Sequence, residues 1–255
     1  MSTVTTRNPL AAYIVRHADD NMVIGQRLAQ YISRAPELEE ELAVANIALD
    51  HIGVADHLFT YAAKVEGGGR TGDDLAMLRT EREYTNLLLV EQEHDGFGEL
   101  IARQFFFDAY QALLWEALAD STDDTLSGVA QRAAKEATYH LRHSSAWVIR
   151  LGDGTHESHR RIQRATDRLW RFTAEMFEAD DLDRQMAADG IGVDPSTLRD
   201  AWESTVDSVL EEATLTRLED SFQTSGGRTG VHTELLGPML AEMQWLQRSY
   251  PGLSW

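Results

Sequence analysis

The sequence predicts an all-α protein built around a bundle of long helices, and three observations predict it. Helix breakers are scarce, with 18 glycines and 5 prolines among 255 residues, below average usage. No stretch alternates apolar and polar residues long enough to read as a strand. Apolar residues instead recur every three or four positions over long segments, the spacing that gathers them on one helix face.

The elements follow in order. Asn8-Pro9 supplies a cap and a proline at the first helical position, and Leu10, Ile14, Met22, Ile24, Leu28 and Ile32 carry the periodicity to about Arg34. Pro36 opens a second helix through Leu42, Ala45, Leu49, Ile52, Ala55, Phe59 and Ala62, stopped by Gly67-Gly68-Gly69. Leu75 to Tyr84 reads as a short helix in a long crossover. Asp95-Gly96 and Gly98 mark a turn before a third long helix over about Phe97 to Ala119. Thr122 or Asp123 caps a fourth, which carries Val129, Ala133, Ala137, His140, Leu141 and Trp147 before ending at Gly152 and Gly154. A fifth spans about Glu157 to Phe177, another runs from Asp194-Pro195 to about Glu212, and a last one covers Leu235 to Tyr250. Thr224 to Val231 is Gly-rich and reads as a loop.

Short links join the first two long helices and the third and fourth, and a crossover of about thirty residues separates the pairs. That topology is a ferritin-like four-helix bundle. We expect one domain over residues 1–255, with the bundle at about 9–151 and additional C-terminal helices at about 155–250.

Composition narrows the function. There is no cysteine, which excludes thiolate metal sites and thiol catalysis and suits a reducing compartment. A formal charge of −19 repels phosphate backbones and anionic membranes, so neither nucleic acid nor a membrane is an expected partner. No apolar run approaches the roughly 20 residues a bilayer requires, and Met1 to Asn8 lacks the apolar core of a signal peptide. A soluble cytoplasmic protein is expected.

A bundle of this topology can hold two irons between single carboxylates on two helices and Glu-x-x-His pairs on two others. The one Glu-x-x-His here, Glu91 to His94, falls at a predicted turn rather than within a helix. Asp50, His51, Asp56 and His57 suggest ligands, yet lie mostly off the apolar stripe of their helix, where solvated or interface positions are expected. Glu136 and His140 stand four apart, close enough to pair with each other. His156 and His159 follow the glycines as surface residues, and Trp147, Trp170, Phe172 and Phe177 fit core positions. Arg79 to Asn86 places two arginines and several hydrogen-bonding groups ahead of an apolar run, fit either for an anionic ligand or for surface ion pairs.

Several blocks carry a family resemblance: Pro36 to Glu40 leading into Ala45 to Asp50, Asn86 to Gln92, Lys135 to His140, Leu169 to Glu175, and the tail His232 to Gln244. Together they resemble the C subunits of the phenylacetyl-coenzyme A epoxidases, multicomponent monooxygenases of bacterial aerobic phenylacetate breakdown. The resemblance spans nearly the whole chain. It implies a subunit that pairs with a related catalytic subunit holding the di-iron site, in a complex that epoxidises the ring of phenylacetyl-coenzyme A with electrons from a reductase. Set on the catalytic pattern, the Glu-x-x-His positions fall on Ile52 and Ala55 in the second helix and on Ala137 and His140 in the fourth. The single carboxylates fall near Met22 and Asp108. Only Asp108 and His140 remain as vestigial ligands.

The resemblance therefore implies no catalytic residue, metal or cofactor in this chain, and a structural role beside the di-iron subunit. Two segments are expected to meet the coenzyme A ester: Glu83, Tyr84, Thr85 and Asn86, and Arg184, Gln185 and Met186. A free-standing metal-binding oxygenase of ferritin-like fold, or a scaffold without an oxygenase partner, is the alternative.

Overall fold

The computed structural model describes residues 8–218 and 222–253; of the segment read for a signal peptide, Met1 to Arg7 lie outside them. The described residues are helical throughout, with no strand. Asn8 accepts a hydrogen bond from the Leu10 amide at 3.0 Å and starts α1 (Pro9–Ala29). α2 (Leu38–Glu66) ends where Gly67 turns left-handed, at φ 69°, a conformation glycine adopts without steric cost. The crossover holds α3 (Gly72–Met77) and one 3-10 turn, Glu81–Glu83, in place of the single expected helix, because Thr71 and Thr80 each build a capping box and restart the chain.

α4 (Phe97–Leu118) and α5 (Asp124–Gly152) form the second hairpin. Asp123 rather than Thr122 caps α5, accepting from the amides of Thr125 and Leu126 at 3.1 and 2.9 Å. α6 (His156–Trp170) stops seven residues before the expected end, and Ala174–Phe177 follows as a 3-10 turn. α7 (Asp181–Ala188) lies in a stretch where no helix was expected; its signal is the Asp180–Asp183 capping box. Pro195–Leu198 is a 3-10 turn that leads into α8 (Arg199–Glu212), and the last predicted helix divides into α9 (Leu236–Met243) and α10 (Trp245–Ser249).

α1 packs along α2, α4 along α5, and α2 meets α5 across the bundle. Gly25 makes the first contact possible, since a Cβ there would stand 2.9 Å from Ile52 Cγ1 and 3.2 Å from the Ala48 carbonyl. α6 and α8 cover α4 and α5, while α7 packs on α1. Trp170 and Phe177 of the expected aromatics join that outer layer, Trp170 lying 5.7 Å and Phe177 5.2 Å from Trp202, ring centre to ring centre, whereas Trp147, expected in the core, is half-buried against Phe97.

Candidate functional site

Two polar assemblies are buried in this apolar interior. The first sits midway along the bundle, where α2, α4 and α5 bring His51, Asp108 and His140 together with ligand-capable atoms all within 4.8 Å of one another. Asp108 and His140, the two vestigial positions, thus meet, and His51 joins them. His51 was expected off the core face and is only 3 % exposed: the stripe read through Leu42 and Leu49 falls on the exposed side of α2, whereas the buried face runs through Val44, Ile47, Ala48, His51, Val54, Ala55 and Leu58. Asp56 and His57 of the same helix are exposed.

The hydrogen bonds assign the protonation. Asn21 donates through Nδ2 to the His17 carbonyl at 2.8 Å, which turns its Oδ1 toward His51 Nδ1, also at 2.8 Å. His51 therefore carries its proton on Nδ1 and accepts from Gln104 Nε2 at 3.2 Å on Nε2. Burial, followed by His140 and Arg103, holds its pKa well below the ordinary range, in keeping with a neutral ring. Asp108 accepts from Gln104 Nε2 at 2.6 Å and Ser144 Oγ at 2.8 Å. Burial lifts its pKa to about 6 against that partial compensation. His140 does not pair with Glu136. Its Nε2 meets Asp50 on the facing helix at 3.0 Å, while Glu136 accepts from Arg132 at 3.1 Å.

This donor set does not fit two irons. Such a pair needs about four carboxylates to balance its charge, and the cluster contains one. Met22, Ala55 and Ala137 are buried apolar groups at three of the positions matched to ligands, and the half-buried Ile52 stands at a fourth.

The second assembly joins α1 to the crossover and the tail. Asp19, fully buried, binds the Arg79 guanidinium through both oxygens and accepts from Thr85 N and Oγ1 at 2.8 and 3.0 Å. Asp20 does the same with Arg228 at 3.1 and 2.8 Å and accepts from the Leu87 amide at 2.7 Å. Glu175 binds the amides of Leu88, Gly226 and Gly227 at 2.7 to 2.8 Å. Gly227 is required there, because a Cβ would collide with the Asn86 carbonyl. Glu91 accepts from Asn86, His232 and Thr233. The isolated Glu-x-x-His thus divides: Glu91 anchors the tail, and His94 turns to Arg103 at 3.1 Å, with burial and that arginine pushing its pKa down to about 2.

The two segments expected at a coenzyme A ester sit differently. Tyr84 and Asn86 are fully buried; the Tyr84 hydroxyl donates to the Ala76 carbonyl, and the Arg79 guanidinium stacks 4.3 Å from the Tyr84 ring. Arg79 is therefore an interior ion pair, whereas Arg82 is exposed. Glu83 and Thr85 are half-buried. On α7, Arg184 and Gln185 are exposed and Met186 is buried; Arg184 reaches Asp181 at 3.4 Å. Arg228 was missed by sequence reasoning, since a Gly-rich stretch reads as a loop. An arginine amid such glycines in a strongly acidic chain was the available hint.

Fold and site define the class: a helical bundle of two crossed-over hairpins whose midpoint holds a histidine–aspartate cluster satisfied by Asn21, Gln104, Ser144 and Asp50 in place of a carboxylate-rich centre. The chain belongs to the phenylacetic acid catabolic protein family, whose model matches residues 1–255. It is 49 % identical over 248 residues to the C subunit of the 1,2-phenylacetyl-CoA epoxidase of Escherichia coli (strain K12), an alignment covering 97 % of this chain and 100 % of that relative. Among the described residues no helix is long and apolar enough to cross a membrane.

Proposed function

We propose that this chain is the non-catalytic, structural subunit of a multicomponent phenylacetyl-CoA monooxygenase of the cytoplasm, packing against a related subunit that holds the di-iron centre. The observation that carries the reading is the bundle midpoint. Met22, Ile52, Ala55 and Ala137 stand where ligands would have to be, and of the polar groups that remain Asp108 is bonded to Gln104 and Ser144 and His140 to Asp50. A bundle that keeps its architecture and fills its metal positions with packing groups is suited to holding a neighbour in place. The exposed Leu38, Leu42 and Leu49 on α2 and Tyr139 on α5 suit such packing. On this reading Arg184 and Gln185, which are exposed, and Glu83 and Thr85, which are half-buried, would touch the ester, with Tyr84, Asn86 and Met186 positioning them.

One observation favours a second reading, a single divalent ion: two imidazoles and one carboxylate lie within 4.8 Å, a donor set such ions accept. One experiment separates the two. The chain is purified alone and with a di-iron subunit, and metal content, mass and turnover are measured. We expect no stoichiometric metal in the chain alone, a mixed assembly, and turnover only in the assembly. About one metal per chain, lost in His51→Ala, would establish the second reading. Changing Arg184 and Thr85 singly to alanine in the assembly should raise the KM for phenylacetyl-CoA. Unchanged constants would remove this chain from the substrate.

A further inference from the structure

A cleft of ≈ 640 Å³ opens where the end of α5 meets the start of α6, against the start of α4 and the α1–α2 link. Its floor is aromatic. Trp147 meets Phe97 edge to face at 4.9 Å, and the Arg150 guanidinium lies 4.6 Å above the Trp147 ring. One wall is basic, carrying Arg150, Arg160, Arg161 and Arg164, and the acids of the cleft's other lip are Glu37, Asp95 and Glu99. Glu99 is turned toward Arg168 at 3.6 Å, and Glu157 is held by Arg160 and Arg161 at 2.7 Å. Arg150 and Arg164 have no carboxylate partner among the described residues.

The basic wall continues along α6. Arg160, Arg164, Arg168 and Arg171 are spaced four, four and three apart and all exposed, one stripe about 16 Å long. Residues 142–171 carry seven arginines against three acids in a chain of net charge −19. This is a locally positive region of a negative molecule, and an aromatic floor rimmed by arginine is the composition of binding hot spots.

From this charge complementarity we infer that the α5–α6 cleft docks an acidic segment of another polypeptide, with an aromatic or aliphatic side chain anchored over Trp147 and carboxylates set on Arg150 and Arg164. The stripe is too extended for a compact phosphate, which needs donors converging on one point. Nucleic acid would carry its dense charge into the field of the remaining acidic surface. Glu37 and Asp95 on the opposite lip orient the segment, repelling its acids toward α6. The inference is independent of the structural role proposed above, since it rests on the arginines of α5 and α6 rather than on the exposed leucines of α2, of which Leu38 adjoins the cleft at Glu37.

Fluorescence anisotropy on the full chain tests it. The probe is a labelled peptide of about twelve residues, alternating Asp and Glu around a central Trp, beside a counterpart with Asn and Gln in place of the acids. We expect the acidic peptide to bind at least about tenfold tighter than the neutral one, and to weaken about tenfold when salt rises from about 50 to about 300 mM. The exposed double reversal Arg150→Glu with Arg164→Glu should cost about tenfold as well, while Arg132→Glu elsewhere on α5 should leave binding unchanged. Equal binding of the two peptides, or binding indifferent to the double reversal, would overturn the inference. Tighter binding of ADP or of a single-stranded oligonucleotide than of the acidic peptide would overturn it too, assigning the arginines to phosphate. Assembly with a di-iron subunit, measured separately by mass, tests the structural role on its own.

Discussion

The two buried polar assemblies solve the same problem with different chemistry. At the bundle midpoint, Asp108 is bonded to a neutral amide and a hydroxyl, and His51 to two amides, all on the bundle helices. Around α1 and the tail, carboxylates meet guanidiniums and amides from remote parts of the chain: Asp19 with Arg79, Asp20 with Arg228, Glu175 with Gly226 and Gly227. The difference teaches what each is for. A charge paired across 208 positions of sequence fixes a segment that has no long helix of its own, and losing either partner strands the other. A cluster of amides, hydroxyl and imidazole fills space left inside a bundle already held by apolar packing.

The largest expected effect breaks the charged assembly. Arg228→Met leaves Asp20, fully buried, with the Leu87 amide but no cation, and should cost about 3–5 kcal/mol in urea unfolding. A loss below about 1 kcal/mol would mean that the tail is held by its other contacts and that Asp20 adapts.

Next comes the titration of Asp108, whose pKa is lifted from 3.8 to about 6 by burial. The folded protein holds that proton more tightly than the unfolded chain. Its contribution to stability is therefore full below about pH 4 and is lost as pH rises through about 6, a swing of about 3 kcal/mol. Asp108→Asn should remove the swing, so the variant gains on the parent by about that amount between about pH 4 and 7. Denaturation curves at four pH values check it, and parallel stability profiles would show that the carboxyl titrates alike in both states.

A smaller effect follows from Ser144→Ala, which deletes the 2.8 Å bond to Asp108 and should cost about 1–2 kcal/mol. Its expected signature is a further rise in the pKa of Asp108, read by NMR titration; an unmoved pKa would remove Ser144 from the cluster. At the bottom of the scale, Arg184→Ala should change stability by less than about 0.5 kcal/mol, because its 3.4 Å contact with Asp181 is exposed on both sides. Loss of cooperative unfolding there would place Arg184 in the framework rather than at the surface.

The sequence by itself determined the elements whose causes are local. The three-to-four spacing of Ile52, Ala55, Phe59 and Ala62, the caps at Asn8 and Asp123, and the stop at Gly67 each act within a turn or two of helix. The long helices consequently appear where the periodicity put them, with ends displaced by a few residues. The pairing of short-linked hairpins across a long crossover was legible for the same reason, as were the blocks that carry the family.

Only the tertiary structure decided which polar residues go inside. His51 is buried because Asn21 and Gln104 of two other helices satisfy its nitrogens, and His140 chose Asp50 on the facing helix over Glu136 on its own. Arg79 and Arg228 became interior cations because Asp19 and Asp20 of α1 were waiting for them, 60 and 208 positions away. No window of sequence holds both members of such a pair, and burying one is favourable only when the other arrives.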